Sequence, residues 1–169
     1  KTQAVSVTLS RETSVTVTVG GVAEDKIRNV ENVEGGSAAD TLTGDDLDNA
    51  FLGGGGNDML DGGAGSDTAL FTDKTLAVSV TLNGATAAIA TIGGIAEDTL
   101  VRIENVTGGA GDDILGGDAL ANILSGGGGN DVLRGGLGND TLDGGAGIDT
   151  ATYAEKTAAV ILTLNGATS

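Results

Sequence analysis

The chain has 169 residues, 24 of them acidic and 8 basic, for a formal net charge of −16. Histidine, cysteine and proline are absent and glycine occurs 31 times. This balance disfavours nucleic acid and anionic membranes as partners, and it removes every thiolate, imidazole and disulfide site. No run of 18 or more apolar residues exists, so no segment reads as a bilayer-spanning helix.

Residues 1–34 open with KTQAVSVTL at Lys1, followed by GGVAEDKIRNVENVEGG at Gly20. They read as β-rungs that hold no metal. Glu24, Asp25 and Glu31 read as solvated strand-edge charges.

Residues 35–72 change character. A nine-residue phrase, glycine-glycine-x-glycine-x-aspartate-x-leucine-x, repeats from Gly35, Gly44, Gly53 and Gly62. Position six reads Asp40, Asn49, Asp58, Asp67, and position eight reads Leu42, Phe51, Leu60, Ala69. A fixed period is the sequence signature of a stacked solenoid. Each unit reads as a six-residue turn and a three-residue strand. Glycine permits the positive φ and close packing of the turn, and the apolar side chain at position eight points inward.

Residues 73–107 return to the first style. KTLAVSVTL begins at Lys74 and GGIAEDTLVRIENVTGG at Gly93. Ala77–Leu82 alternates, Asn83–Gly84 is a turn, and Ala87–Ile92 and Leu100–Val106 read as further strands. These are expected to continue the solenoid as wider coils without metal, the alternative being a separate small β-domain. Glu97, Asp98 and Glu104 read as solvated edge charges, with Glu104 or Asn105 as candidates to close the first turn of the next block. Lys74 and Arg134 read as exposed counter-charges.

Residues 108–153 carry the second nonapeptide block, from Gly108, Gly117, Gly126, Gly135 and Gly144. Position six is Asp113, Asn122, Asp131, Asp140, Asp149, and position eight is Leu115, Leu124, Leu133, Leu142, Ala151. Residues 154–169 begin a third large repeat with KTAAVILTL at Lys156. The KT phrases lie 73 and 82 residues apart, a difference of one nonapeptide. No signal peptide is visible. The chain starts without methionine and stops inside a repeat, so it reads as an excerpt of a longer array.

If each turn reverses the chain, repeats n and n+2 stack about 4.8 Å apart in one parallel sheet. Their position-six carboxylates then line up and repel. A hard cation with oxygen ligands at about 2.3–2.6 Å fits between two such turns, which points to Ca2+. The candidate ligands are Asp40, Asp58, Asp67, Asp113, Asp131, Asp140 and Asp149. Backbone carbonyls would complete the shell, from Gly53, Gly55, Gly62, Ala64, Gly108, Ala110, Gly126, Gly128, Gly135, Leu137, Gly144 and Ala146. The pairs are Asp40 with Asp58, Asp113 with Asp131, and Asp131 with Asp149. Asn49 with Asp67 and Asn122 with Asp140 each lack one charge. Asp45 and Asp118 stand at position two of the asparagine turns as substitute carboxylates, while Asn49 and Asn122 also suit plain corners. About three to five ions are expected.

The runs GGGGNDMLDGGAGSD and GGGGNDVLRGGLGNDTLDGGAGID resemble the RTX family of haemolysin-type calcium-binding repeats. The resemblance implies an all-β, right-handed parallel β-roll, with calcium held between turns n and n+2. It further implies bacterial type I secretion and folding on calcium outside the cell. The reading that results is a non-catalytic structural module of a secreted or surface protein. The alternative is an accessory module of a secreted enzyme of protease, lipase or alginate epimerase type. No side chain here sits in a catalytic context. Partners beyond calcium and adjoining repeats, and the oligomeric state, are not legible.

Overall fold

A computed structural model describes residues 2–157, 159 and 161. Most of the third large repeat expected at 154–169 lies outside the described residues. The described residues form strands and no helix. In chain order these are β1 (Val5–Thr8), β2 (Val15–Val19), β3 (Val22–Ile27), β4 (Asn32–Glu34), β5 (Thr41–Thr43), β6 (Ala50–Leu52), β7 (Met59–Asp61), β8 (Thr68–Leu70) and β9 (Val78–Thr81). Then follow β10 (Ala88–Ile92), β11 (Ile95–Val101), β12 (Asn105–Thr107), β13 (Ile114–Gly116), β14 (Ile123–Gly128), β15 (Val132–Arg134), β16 (Thr141–Ala146) and β17 (Thr150–Ala151).

Within the nonapeptide blocks each repeat supplies one strand beginning at position seven. Successive repeats alternate between two sheets, so that repeats n and n+2 pair in parallel. Leu42 lies opposite Leu60, Phe51 opposite Ala69, Leu115 opposite Leu133, and Leu124 opposite Leu142. The side chains at position eight point between the sheets. Leu42, Phe51, Leu60, Leu115 and Leu124 are wholly buried. Each such leucine contributes about 1.5–3 kcal/mol, and one hydrophobic core runs from Val7 to Leu133.

The two sheets are β17-β15-β13-β9-β10-β11-β7-β5-β1-β2-β3 and β16-β14-β12-β8-β6-β4. The large repeats enter them differently from the plain coils expected. β9, β10 and β11 form an antiparallel meander inserted in the first sheet. β9 then pairs in parallel with β13, and β11 with β7. In the second sheet β12 alone bridges β8 to β14. The first large repeat makes the same meander from β1, β2 and β3. The cause is the diglycine: Gly93 and Gly94 have φ of +58° and +83°, the backbone of a tight two-residue hairpin. The single strand expected over Leu100–Val106 is two strands, divided by a corner at Arg102 with φ +50°.

Candidate metal centre

The turns stack along the edges of the sheets, and position six forms a ladder. Where a nonapeptide follows two repeats later, the main-chain N–H of the position-six residue donates to that repeat's position-six carboxylate. Asp40 donates to Asp58 Oδ1 at 2.8 Å, Asn49 to Asp67 at 2.7 Å, and Asp113 to Asp131 at 2.7 Å. Asn122 donates to Asp140 at 3.1 Å and Asp131 to Asp149 at 3.0 Å. The structure thus brings together each pair that the eighteen-residue spacing indicated. One oxygen of each later carboxylate is spent on the backbone, so the carboxylates do not simply face each other.

The second oxygen divides the turns into two kinds. In the turns at Gly35 and Gly108 the N–H at position two folds back onto it: Gly36 donates to Asp40 Oδ2 at 2.5 Å and Gly109 to Asp113 Oδ2 at 2.8 Å. The asparagine turns close alike, with Asp45 and Asp118 donating to Asn49 and Asn122, each at 2.9 Å. The other turns are open. Their position-two glycines, Gly54, Gly63, Gly127, Gly136 and Gly145, have φ between +84° and +98°. Gly54 also admits no side chain, because a Cβ there would lie 2.0 Å from the Gly36 carbonyl oxygen.

In three of the open turns the second oxygen is buried and left without a partner. Asp58, Asp67 and Asp131 are each 2% exposed or less, yet their Oδ2 atoms accept no hydrogen bond. A buried acceptor without a donor costs about 1–3 kcal/mol, more when charged. Carbonyl oxygens crowd the same place. A methyl group on Gly126 would meet Asp131 Oδ2 at 2.1 Å and the Gly144 oxygen at 2.5 Å. One on Gly62 would meet Asp67 Oδ2 at 2.5 Å and the Arg102 oxygen at 2.0 Å. Buried oxygens that converge with no donor between them suit a cation, and an all-oxygen set suits a hard one. Burial pushes the carboxyls of Asp58 and Asp67 up to about 6, with Asp40 and Glu104 respectively adding repulsion. Asp113 and Asp131 are raised chiefly by the same desolvation.

Two further carboxylates belong to the ladders: Asp98, expected in solvent, and Glu104, expected in solvent or closing the first turn of the second block, which instead caps the last turn of the first. Asp98 is 1% exposed, and its Oδ1 accepts the Asp58 N–H at 2.8 Å. Burial first, then the Asp58 charge, raises its carboxyl to about 7. Glu104 accepts the Asp67 N–H at 2.9 Å. The signal for Asp98 was present: GGIAEDTLV at 93–101 is itself a nonapeptide lacking the glycine at position four. Register confirms the phase, since Thr99 and Leu100 pair with Met59 and Leu60. Lys74 is likewise not an exposed counter-charge. Its side chain is 10% exposed and ion-paired with Glu97. Asp45 and Asp118 bond locally, to the N–H groups of Leu47 and Leu120, instead of reaching a neighbouring turn. Among the described residues no three acidic side chains gather at one point. Any ion there depends on main-chain oxygen.

Fold and turns together define a β-roll of stacked nonapeptide turns. A family model described as RTX calcium-binding nonapeptide repeat (4 copies) matches residues 34–69, 105–124 and 116–151. The chain belongs to that family, and its repeats make it a calcium-binding structural module. The RTX repeat is in general a non-catalytic element. Comparison with curated proteins gave no match.

Proposed function

We propose that this chain is a non-catalytic module of a secreted or cell-surface protein, which becomes rigid when calcium enters its turns outside the cell. The orphaned, buried Oδ2 atoms of Asp58, Asp67 and Asp131 carry this reading. The proposed holders are Asp40, Asp58, Asp67, Asp113, Asp131, Asp140 and Asp149 with neighbouring turn carbonyls. The metal-bearing segments are 35–72 and 108–153. Bound calcium supplies positive charge where stacked carboxylates and carbonyls otherwise repel. Three to five ions would reduce the formal charge of −16 to about −10 to −6. The core is only one side chain deep per rung, so metal binding and folding are coupled.

The test is circular dichroism in chelator and during calcium titration. The expected result is loss of β-structure in chelator and its recovery at about 10⁻⁴–10⁻³ M calcium, the range of extracellular modules. Sodium at matched ionic strength should not substitute. An unchanged spectrum in chelator, together with no calcium bound at equilibrium, would remove the proposal.

A further inference from the structure

Lys74 lies four residues beyond β8, and its side chain turns back into the stack. Nζ donates to the Gly54 carbonyl oxygen at 2.5 Å and pairs with the Glu97 carboxylate. Gly54 is position two of an open turn. Glu97 belongs to the nonapeptide-like segment 93–101 that stacks directly on that turn, as the bond from the Asp58 N–H to Asp98 shows. The ammonium therefore stands between two stacked turns, paired with Glu97 and within the electrostatic reach of the Asp58 and Asp98 carboxylates.

The second block repeats the arrangement. Lys156 donates from Nζ to the Gly136 carbonyl oxygen. Gly136 is again position two of an open turn, and again twenty residues before the lysine. Both lysines come from the recurring KT phrase. Two blocks of different length thus end with one cationic side chain on the same acceptor.

We propose that Lys74 and Lys156 are built-in cations that take the place of calcium on the outer face of the Gly53 and Gly135 turns. An ammonium offers three donors and one fixed charge. It can serve a carbonyl and a carboxylate together, and it is present at any calcium concentration. The apolar stem of Lys74 stays covered. Burial alone would favour the neutral amine, but Glu97 outweighs it and holds the Lys74 pKa above the ordinary lysine value. The junction between block one and the following meander is therefore closed by the chain's own charge. This rests on the reading that the open turns hold calcium.

The experiment is calorimetric titration of the whole chain with calcium chloride, with circular dichroism on the same samples. Lys74→Met should bind one more calcium per chain than the native protein, and so should Lys156→Met. Lys74→Arg keeps the charge and should keep the native count. An unchanged count in both methionine variants overturns the proposal. So does failure of Lys74→Met to gain β-structure in saturating calcium, since the ion then cannot replace the ammonium. The native titration separates the two levels: a native chain that binds no calcium sinks the underlying reading, whereas native binding without a gain in the variants sinks this one alone.

Discussion

The main-chain N–H of Asp58 donates to Oδ1 of Asp98 at 2.8 Å, across forty residues of sequence. That bond fixes β11 on β7 and continues the edge ladder beyond the first nonapeptide block. Asp98 has a sequence twin in Asp25, within GGVAEDKIR. Asp25 is exposed on β3, the end strand of the sheet, whereas Asp98 is buried.

The twins should therefore respond differently to the same change. Asp98→Ala leaves the buried Asp58 N–H unpaired and should cost about 1–3 kcal/mol. Asp25→Ala should stay within about 0.5 kcal/mol, as surface substitutions do. Urea unfolding in saturating calcium measures both, and equal losses would contradict the ladder.

Asp131 is the carboxylate shared by two stacked pairs. It accepts from Asp113, donates its own N–H to Asp149, and keeps a free buried Oδ2. Asp131→Ala should lower the apparent calcium affinity by about tenfold or more, equivalent to about 1.4 kcal/mol. Asp48→Ala, at an exposed turn position, serves as the comparison. A calcium titration in which the two variants coincide would exclude a central role for Asp131.

Neighbouring glycines in one turn should part company. Gly54 has φ +90° and faces the Gly36 oxygen, whereas a Cβ on Gly55 meets nothing nearer than 3.6 Å. Gly54→Ala should cost at least the roughly 1–3 kcal/mol of a strained backbone. Gly55→Ala should be nearly neutral, since the same position is alanine at Ala64, Ala110 and Ala146. Melting temperatures in calcium decide between them.

Acid should stabilise the metal-free fold. The Asp58 and Asp67 carboxyls lie near 6 and Asp98 near 7 in the folded chain, against about 3.9 when unfolded. The folded state then holds more protons than the unfolded one. Its stability is greatest below about 4 and is lost as pH rises through 6 to 7. In chelator, β-structure should be greater at pH 4.5 than at pH 7.5. With calcium present the order reverses, because protons compete for the same oxygens. A chelated sample equally folded at both pH values would argue against these buried carboxylates as the source of instability.

The nonapeptide period by itself determined the strand at positions seven to nine, the inward leucine at position eight, and the pairing of repeats eighteen residues apart. These follow from local backbone preference and alternation, which need no knowledge of the rest of the molecule. The repeat at 93–101 was also readable, but its missing fourth glycine and its diglycine hairpin hid it among plain strands. Glu104 was legible only as a candidate to close the first turn of the second block, not as the cap of Asp67 in the first. It enters the ladder only because the corner at Arg102 sets it above Asp67.

Tertiary structure decided the rest. The turn at Gly108 has every glycine of the motif, yet it closes like the leucine-bearing turns, with neither Gly109 nor Gly111 at positive φ. The open form occurs where the turn two repeats earlier is itself a nonapeptide: Gly54 stacks on Gly36, and Gly127 on Gly109. The turn at Gly108 stacks instead on Lys74 and Leu76. A glycine's sequence leaves both conformations within reach, and the backbone oxygen lying beneath it selects one. The same holds for Asp25 and Asp98: similar surroundings in sequence become surface or core according to whether a further rung stacks on their strand.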